Sequence, residues 1–395
     1  MTDRHLCIMN AGSSSMKFAI YEVTAAGPRR SMQGAVEGIG EPEARLRLND
    51  AAGKPVHDTR MPIPNHAQAL ASLEELHDGP FSLGGLRGFG HRVVHGGPDF
   101  TAPVRLDPET VDRIEALKTL APLHNPPAVA VIRALTERYP DVPQVACFDT
   151  AFHRSHPQVA DHYSIPDELY QEGVRRYGFH GLSYEYIASQ LADVAPSVAL
   201  GRVVIAHLGA GASMCALAGG RSMDCTLGFS TVDGLPMATR SGAMDPGLIL
   251  WLLKTKGWSI EKVDTFIHRE CGLKGISGIS SDMRTLLESG EPSAKMAVDY
   301  FVYHVCQYTG AFAAALGGID AMVFTAGIGE RSAPIRSKVL KKLSFLGFVL
   351  DEAANEAGGP LLTHPGSPRA AYAIPTDEEI VIARHTLSLI GKRAG

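Results

Sequence analysis

A turn of small polar residues near the amino terminus has the composition of a phosphate-binding loop. Residues 7–20 read Cys-Ile-Met-Asn-Ala-Gly-Ser-Ser-Ser-Met-Lys-Phe-Ala-Ile, so two apolar segments flank the turn. Glycine allows the backbone to approach a ligand closely, the serines supply hydroxyl groups, and Lys17 supplies a positive charge. We expect a β-hairpin with these polar residues at its tip. Taken alone, the motif fits an ordinary solvated hairpin loop equally well.

A second turn of the same kind follows in the other half of the chain. Residues 203–214 read Val-Val-Ile-Ala-His-Leu-Gly-Ala-Gly-Ala-Ser-Met, again with apolar segments on both sides of a small-residue turn. The repetition indicates an internal duplication. A third glycine turn, Gly-Ile-Gly at 327–329, follows an apolar strand segment. A lone Gly-Ile-Gly is weak evidence, but three such loops in this order are typical of a two-lobed phosphotransferase that closes over ATP.

Compact clusters of charged and imidazole side chains lie between these loops. They occur at residues 90–97, 123–127, 148–153, 175–181 and 238–242, most of them beside glycine or proline. Each cluster taken singly has an ordinary explanation: a solvated arginine, a histidine with a structural partner, or an aspartate that caps a helix. If the ligand is anionic, the arginines of these clusters must supply the positive field.

The elements that position these clusters alternate between strands and helices, which predicts α/β lobes. Apolar positions from Val298 to Leu316 keep helical spacing, and the two glycines that follow are expected to end that helix. Asp377 is expected to cap a last helix, Glu378–Ile390, whose apolar face packs on a core.

Composition and charge limit the class of protein. With 395 residues, two domains are expected, and the hydrophobic content of 45% is that of a globular protein. A net charge of −5 without any strongly basic segment argues against nucleic acid as a partner. The six cysteines form no CxxC pair, so we expect reduced thiols. The sequence shows neither a signal-peptide layout nor an apolar run of transmembrane length, so we expect a cytoplasmic protein with no membrane partner.

Three motifs together resemble one family closely. They are Asn-Ala-Gly-Ser-Ser-Ser-x-Lys at 10–17, Gly-His-Arg-Val-Val-His-Gly-Gly at 90–97 and Arg-Tyr-Gly-Phe-His-Gly at 176–181. From Asn10 to Glu379, the chain resembles the acetate kinases and the wider family of short-chain acyl kinases. The resemblance implies an α/β fold of two duplicated lobes, of the ribonuclease H-like type found in actin, Hsp70 and sugar kinases, with an ATP cleft between them. It also implies an N-terminal lobe of residues 1–150 plus 380–395 with acyl-substrate elements, a nucleotide-binding lobe of residues 151–379, and a homodimer.

The reaction implied by the resemblance is the reversible, Mg²⁺-dependent transfer of a phosphoryl group from ATP to acetate, which gives acetyl phosphate and ADP. Negative charge spreads over the transferring group, so the protein must position two anions and neutralise this charge. Arg92 and Arg240 match the family's arginines and carry suitable donor forks. His180 matches a further donor, His124 a nearby contributor, and Asp149 the aspartate that orients the acyl carboxylate. The acid is already ionised at neutral pH, so a general base is hardly needed.

The remaining site residues are also carried over from the resemblance. Asn10 and Glu378 match the magnesium-linked positions; alternatively, Glu378 is an ordinary acid in the first turn of a helix, and Glu379 competes for the role. The nucleotide contacts match Lys17, His207, Leu208, Gly209, Ala210, Gly211, Asp282, Met283, Arg284, Gly327, Ile328, Gly329, Glu330 and Arg331. The substrate pocket matches Arg92, Val94, Leu123, Phe179 and Thr231, whose apolar members fit ordinary core packing as well.

The chain departs from the family pattern at several positions of this site. Ala210 stands where the family's second phosphate loop has asparagine, which removes an amide donor. The usual Gly-Thr-Ser-His after the catalytic histidine carries Leu182 and Tyr184 here, and further departures are Thr231, Ala243 and Arg331. None of these removes a principal catalytic group, so we expect an active kinase. The alternatives are a propionate or butyrate kinase and a catalytically weakened ATP-binding regulatory homologue.

Overall fold

The computed structural model describes residues 4–76 and 85–391, and these divide into two compact units. The first unit contains the described residues up to Phe152 and those from Asp377 onward, and the second contains His153–Thr376. Glu378 therefore belongs to the same unit as Asn10 and Arg92. Residues 1–3 and 392–395 of the predicted N-terminal lobe lie outside the described residues. The roles predicted for the two lobes stay predictions.

The first unit is built on an eight-stranded sheet. Its strands are β1 His5–Ala11, β2 Ser15–Thr24, β3 Gly27–Glu37, β4 Ala44–Asp50, β5 Pro55–Met61, β6 Leu86–Val93, β7 Val104–Arg105 and β8 Gln144–Phe148. They lie in the order β5-β4-β3-β2-β1-β6-β8-β7. Strands β1, β6 and β8 run parallel, whereas β1 to β5 form an antiparallel meander. The carboxyl ends of three neighbouring strands therefore lie at the same edge of the sheet.

The second unit is built on a five-stranded sheet. Its strands are β9 Arg202–Leu208, β10 Ala212–Ala218, β11 Arg221–Cys225, β12 Ala321–Thr325 and β13 Ala370–Ala373. They lie in the order β11-β10-β9-β12-β13, with β9, β12 and β13 parallel and the β9–β10–β11 pairs antiparallel. This pairing repeats that of β3-β2-β1-β6-β8 in the first unit. The predicted internal duplication is present in the sheet topology.

Helices connect the strands of each unit. In the first unit they are α1 His66–Glu74, α2 Pro108–Ala116 and α3 Asn125–Arg138. In the second unit they are α4 Gln158–Asp161, α5 Asp167–Gln171, α6 Gly181–Val194, α7 Pro246–Lys254, α8 Ile260–Thr265, α9 Gly272–Ser277, α10 Met283–Glu288, α11 Pro292–Ala315, α12 Ala326–Arg331, α13 Ala333–Lys342 and α14 Glu352–Glu356. The chain then returns to the first unit with α15 Glu378–Ile390. Within the described ranges, no helix combines the length and the apolar composition that crossing a membrane requires.

The core of the first unit packs α3 and α15 against the parallel strands. Buried side chains that include Met9, Phe18 and Phe89 form one apolar cluster with the buried face of α3. Helix α15 lies against β6, where a Cβ at Gly90 would collide with Ile382 and Thr386. Glycine at this position allows the last helix to pack directly on the strand that carries Arg92.

Several predicted elements are confirmed and one is wrong. Both glycine-rich turns at 12–14 and 209–211 are the tips of antiparallel hairpins. Asp377 caps α15, because its carboxylate accepts a hydrogen bond from the Ile380 N–H at 3.1 Å. The helix expected from Val298 is α11, which begins earlier, at a proline suited to a first helical turn. The third glycine turn is not a turn, since these residues lie in helix α12.

The outer strands of the first unit carry opposite charges that pair between neighbouring segments. Arg45 of β4 donates two hydrogen bonds to Asp58 of β5, at 2.8 and 2.6 Å. Arg60 of β5 pairs with Glu43, just before β4, at 2.9 Å. These side chains are exposed, so each pair adds little to the free energy of unfolding.

Candidate active site

The carboxyl ends of the parallel strands in the first unit bring together Asn10, Arg92 and Asp149. Asn10 lies at the end of β1, Arg92 at the end of β6, and Asp149 directly after β8. The Arg92 guanidinium donates two hydrogen bonds to Asp149, from Nε to Oδ1 at 2.9 Å and from Nη2 to Oδ2 at 2.6 Å. Its Nη1 lies 3.4 Å from Asn10 Oδ1, and its Nε lies 3.7 Å from Glu378 Oε2. Three predicted site residues therefore meet at the guanidinium of a fourth.

Two carboxylates hold the charge of Arg92. Burial alone would lower the pKa of Arg92, but the charges of Asp149 and Glu378 outweigh it and hold that pKa above its ordinary value. The Asp149 side chain is 1% exposed and the Arg92 side chain 19% exposed. Asp149 is therefore committed to orienting the guanidinium, while Arg92 keeps a surface that a ligand can reach.

The loop that follows β6 is tied to the start of α3. The His95 N–H donates to Asn125 Oδ1 at 3.1 Å, and Asn125 Nδ2 donates to the His95 carbonyl at 2.9 Å. These bonds hold the backbone that follows Val94 close to the start of α3. His124 occupies the N-cap position of this helix, and Leu123 precedes it. Val94 is 9% exposed and Leu123 is 40% exposed, so Leu123 retains apolar surface that a substrate could cover.

His180 opens α6 of the second unit in a strained backbone conformation. Its φ of 56° lies in the left-handed region, which costs a residue with a side chain about 1–2 kcal/mol. Its Nδ1 lies 2.7 Å from Ser213 Oγ, and the Tyr184 hydroxyl contacts the same oxygen. The imidazole stacks on the ring of His207 with centroids 4.3 Å apart and planes 18° apart. The ring is held on several sides.

His207 continues this network along the edge of the second sheet. Its Nδ1 lies 2.8 Å from Ser183 Oγ, which in turn lies 2.8 Å from Thr376 Oγ1. The N–H groups of Thr376 and Ala326 both donate to Glu330 Oε1, at 3.0 and 2.8 Å. Glu330 therefore braces two backbone segments of the site.

Arg240 and His180 approach the same glycine. A Cβ at Gly211 would lie 3.5 Å from His180 Nε2 and 3.7 Å from Arg240 Nη2. The other terminal nitrogen of Arg240, Nη1, donates to the carbonyl of Thr231 at 2.8 Å. A predicted phosphate loop, a histidine and an arginine thus converge on one backbone position of the second unit.

A cavity of about 600 Å³ opens beside this loop, a volume suited to a ligand of nucleotide size. Eight of the predicted nucleotide-binding residues line it, namely Gly209, Ala210, Asp282, Met283, Arg284, Gly327, Ile328 and Arg331. The Ala238 N–H donates to the Ala210 carbonyl at 3.2 Å and so fixes the loop at the cavity wall.

Other predicted residues lie elsewhere. Leu208 and Phe179 are buried, at 0% and 1% exposure. Gly329 is buried on the inner side of α12, where a Cβ would meet the backbone of Phe324 at 3.3 Å. Lys17 is an exposed residue of β2 in the first unit. The structure thus supports the cavity-lining subset of the nucleotide residues most directly.

A buried arginine holds α12, the helix that contributes Gly327, Ile328 and Arg331 to the cavity wall. Arg336 is 1% exposed, and its Nη1 donates to the carbonyls of Gly329 at 3.0 Å and Glu330 at 2.8 Å. Its Nε donates to Asn355 Oδ1 at 2.8 Å. Arg336 thereby pairs carbonyl groups at the end of the helix that would otherwise lack partners. This contact from the next helix, α13, supports a helix at 326–331 although their glycines favour a turn.

Asp282 has a structural role as well as a place at the cavity. Its Oδ1 accepts a hydrogen bond from the Thr285 N–H at 2.9 Å and caps α10. This hydrogen bond holds the pKa of Asp282 below its ordinary value. The carboxylate is therefore charged at neutral pH, with the exposed side chain of Arg284 close by in sequence.

Comparison with known proteins agrees with this arrangement. The model of the acetokinase family matches residues 5–384. The chain belongs to the acetokinase family. This family member is 50% identical over 398 residues to the acetate kinase of Nitrobacter hamburgensis, a match that covers 98% of this chain and 97% of the relative.

Two solved structures have the same fold over nearly their whole length. The acetate kinase of Porphyromonas gingivalis is 35% identical with a TM-score of 0.89, covering 98% of this chain and 100% of that one. A propionate kinase from Francisella tularensis is 33% identical with a TM-score of 0.90, again covering 98% and 100%. These findings confirm the predicted family, the two-lobed α/β fold and the enzyme class, a kinase that uses ATP and ADP with a carboxyl group as acceptor.

Some contacts of this acetokinase site were not predicted. Ser213 contacts His180, and Tyr184 contacts Ser213. Leu273, Leu287 and Pro334 line the cavity. Tyr184 lies one helical turn after His180, so the spacing predicts that the two residues are neighbours once the start of α6 is known. Nothing in the sequence distinguishes Leu273 from an ordinary core residue.

Proposed function

We propose that this member of the acetokinase family transfers the γ-phosphoryl group of ATP to acetate, reversibly, giving acetyl phosphate and ADP. The observation that carries the proposal is the Arg92 guanidinium, held by a buried Asp149 at the strand ends with part of its surface accessible. A planar, permanently charged fork fixed in this way suits a carboxylate or a phosphoryl oxygen. The family match along residues 5–384 supports the same reaction.

Arg92 would bind and orient the anionic reactants, and Asp149 would act through Arg92 by fixing its angle. Both oxygens of Asp149 already accept hydrogen bonds from the guanidinium, so a direct contact with the substrate is secondary in this proposal. Val94 and Leu123 would cover the methyl group of acetate, with His124 at the neighbouring start of α3. The acid enters already ionised, so these groups orient it rather than remove a proton.

The charges around Arg92 favour a role for Mg²⁺. One guanidinium faces two carboxylates, Asp149 and Glu378, so this cluster carries a formal charge of about −1 and an anionic substrate requires a further cation. The Asn10 amide oxygen and the Glu378 carboxylate are the oxygen donors that Mg²⁺ prefers, and water and nucleotide phosphates would complete the ligand set. When bound, the ion would offset the negative charge of the nucleotide phosphates.

The second unit would bind the nucleotide and donate to the transferring group. The 600 Å³ cavity offers apolar surface from Met283 and Ile328 for a base and charged side chains at Arg284 and Arg331. His180 and Arg240, which converge on Gly211, would donate to the equatorial phosphoryl oxygens. The remaining predicted contacts are Lys17, His207, Leu208, Gly209, Ala210, Asp282, Gly327, Gly329 and Glu330, with Phe179 and Thr231 on the substrate side.

The finer properties are also proposals. We place the protein in the cytoplasm as a homodimer, with a short-chain carboxylate and a nucleotide as its small-molecule partners and neither nucleic acid nor membrane among its partners. The six cysteines, all within the described residues, are not joined in disulfides. A reducing compartment would keep them as thiols. Light scattering on the purified protein measures the oligomeric state directly, and a monomer at micromolar concentration would contradict the homodimer.

A propionate kinase is the second candidate, because one of the similar structures is a propionate kinase. One methylene group changes the binding free energy by only about 1–3 kcal/mol, so the activities toward short acids are expected to overlap. Thr231 is the predicted pocket residue with a small side chain, and its carbonyl accepts a hydrogen bond from Arg240. The ratio of kcat/KM for acetate and propionate decides between the two.

The test is an acyl-phosphate assay that traps the product with hydroxylamine. Purified protein receives ATP and acetate, propionate or butyrate, with Mg²⁺ or with excess chelator. We expect acetate to give acyl hydroxamate in the presence of Mg²⁺. With excess chelator, most of the hydroxamate should be lost. If no acyl phosphate forms from any of the three acids while ATP still binds, the proposed reaction is wrong and a regulatory ATP-binding protein becomes the better explanation.

A further inference from the structure

Two hydroxyl groups lie in series behind the ring of His180. Ser213 Oγ lies 2.7 Å from His180 Nδ1, and the Tyr184 hydroxyl makes a short contact with the same Ser213 oxygen. Tyr184 and Ser213 are both fully buried. The two hydroxyls therefore form a continuous hydrogen-bonded chain that ends at the inner nitrogen of the imidazole.

The surrounding elements fix this chain of hydroxyls. Tyr184 lies one turn along α6 from His180, and its backbone N–H donates to the His180 carbonyl at 3.1 Å. Ser213 lies on β10 directly opposite His207 of β9, the residue on which the His180 ring stacks. The chain of hydroxyls thus links a helix and a strand hairpin, and neither end is free to turn away from the ring.

The chemistry of the two hydroxyls favours one direction for their hydrogen bonds. A phenol is a stronger donor and a weaker acceptor than an aliphatic alcohol, because its lone pairs are delocalised into the ring. This difference favours Tyr184 as the donor to Ser213, in which case the single proton of Ser213 is left for His180 Nδ1. A neutral imidazole that accepts at Nδ1 carries its proton on Nε2. That nitrogen is the one near Gly211 and Arg240.

We propose that Tyr184 and Ser213 are positioning residues that hold His180 with its proton on Nε2, ready to donate to the transferring phosphoryl group. The family's usual residue at position 184 is histidine, so this phenol is a particular solution of this chain. The identity of the phosphoryl acceptor rests on the proposed function, but the position of the proton on the ring does not.

The test measures the ring nitrogens and the kinetics of the same variant. Protein labelled with ¹⁵N-histidine is compared with Tyr184→Phe, and the His180 signals are assigned from their loss in His180→Gln. We expect the Nε2–H form in the parent chain and a mixture of the two neutral forms in Tyr184→Phe. We expect kcat to fall about 10- to 100-fold, the range known for outer groups that orient a metal-bound histidine, with KM for acetate and ATP changed less than about twofold.

Tyr177→Phe is the matched control. Tyr177 is also fully buried in the second unit, and its hydroxyl donates to the Gly173 carbonyl at 2.6 Å rather than to the Ser213 chain. Its removal tests the general effect of losing a buried tyrosine hydroxyl. The His180 ring signals should stay as in the parent chain in this control.

Ser213→Ala removes the middle of the chain and separates the proposal from a folding effect. Its effect on kcat should not add to that of Tyr184→Phe, because either change interrupts the same chain. Unchanged His180 ring signals in Tyr184→Phe, or additive effects in the double variant, would overturn the proposal. The expected ring signals in a protein that forms no acyl phosphate would leave the proton position intact and overturn the proposed function instead.

Discussion

The two units carry the same strand order but place different chemistry at the same edge of the sheet. In the first unit, the parallel strand ends supply Asn10, Arg92 and Asp149, which meet in an ion-pair cluster. In the second, the corresponding ends lead to His207 and Thr376, which both contact the hydroxyl of Ser183. The duplicated sheet therefore supplies two similar backbone scaffolds. The side chains at the strand ends determine whether this edge of the sheet carries an ion-pair cluster or a network of neutral hydrogen bonds.

The hairpin tips differ in a similar way. The tip at 12–14 follows β1 and contains two serines, and the His66 ring contacts the Gly12 carbonyl through Nε2 at 2.8 Å. The tip at 209–211 has no hydroxyl, but it lies at the cavity and beneath His180 and Arg240. Both tips contain glycine, but the first has four residues between its last paired residues, Ala11 and Met16, and the second has three between Leu208 and Ala212. Their different surroundings should give glycine substitutions in the two tips very different effects.

The largest effect is expected from Arg92→Lys. Lysine keeps a positive charge near Asp149 and Glu378, so the buried carboxylate stays compensated and the fold is retained. The planar fork is lost, and we expect kcat/KM for acetate to fall about 10³-fold. Arg45→Lys, in an exposed pair on β4, is the control and should change activity less than about twofold. A loss below tenfold in Arg92→Lys would remove the ion-pair cluster from the reaction.

A pair of glycine substitutions compares the two hairpin tips directly. In Gly211→Ala the new Cβ would lie 3.5 Å from His180 Nε2 and 3.7 Å from Arg240 Nη2, an ordinary contact that the fold accepts but that fills the space where both groups converge. We expect kcat/KM to fall about 10²-fold. In Gly12→Ala the Cβ would meet a flexible serine hydroxyl, Ser15 Oγ, at 3.1 Å. Steady-state kinetics of both variants should differ by at least tenfold; equal losses would mean that the first tip is as close to the chemistry as the second.

Buried histidines should make the second unit the more sensitive to acid. Burial lowers the pKa of His153 to about 3 and, with the charges of His153 and Arg154, that of His156 to about 2. In the first unit, burial lowers the pKa of His91 to about 4. The unfolded chain takes up these protons near pH 6.5, so the stabilisation is complete above that pH and is lost as pH falls toward the folded pKa values. By pH 5, each of these histidines lowers the free energy of unfolding by about 2 kcal/mol. Two of the three lie in the second unit, so the loss of stability is about twice as large there.

Tryptophan fluorescence isolates this difference, because both tryptophans, Trp251 and Trp258, lie in the second unit. Urea unfolding followed by fluorescence reports that unit, whereas far-ultraviolet circular dichroism reports both. At pH 7 the two transitions should lie close together, and at pH 5 the fluorescence transition should come at lower urea. Circular dichroism that changes first at pH 5 would contradict the assignment.

The smallest effect is expected from Ala210→Asn. The substitution restores an amide donor at the exposed tip of the second hairpin, on the wall of the cavity. One added hydrogen bond is worth about 0.5–1.5 kcal/mol, so kcat should rise about two- to tenfold, more than KM for acetate falls. Ala243→Asp restores the family's residue at an exposed position and serves as the control. An unchanged or lower kcat in Ala210→Asn would mean that the site has been rebuilt around alanine.

Local signals explain which features the sequence could predict. The hairpins and the Asp377 cap depend on residues close together in the chain, and they formed as expected. Helix α12 did not form as expected: the guanidinium of Arg336 in the next helix pairs its last carbonyls, and nothing in the sequence marks this arginine as buried. The family motifs supplied Arg92 and Asp149 as candidates, but their bidentate pairing depends on the parallel alignment of β6 and β8. The sequence does not predict Ser213 as the hydrogen-bond partner of His180, because the sequence pattern of a buried serine on a strand does not indicate which residue it contacts.

The charged pairs of β4 and β5 bear on how the chain avoids self-association during synthesis. Strand β5 is the outermost strand of its sheet among the described residues, and it begins with Pro55 and alternates exposed charges such as Asp58 and Arg60. Strand β5 is synthesised before β6 and β8, and its outer edge has no strand partner in the described part of the finished sheet either, so this edge can meet other chains at every stage. Proline and charge on an edge strand disfavour pairing with a second strand. Pairs that add little to the stability of the folded enzyme thus disfavour edge-to-edge pairing between chains.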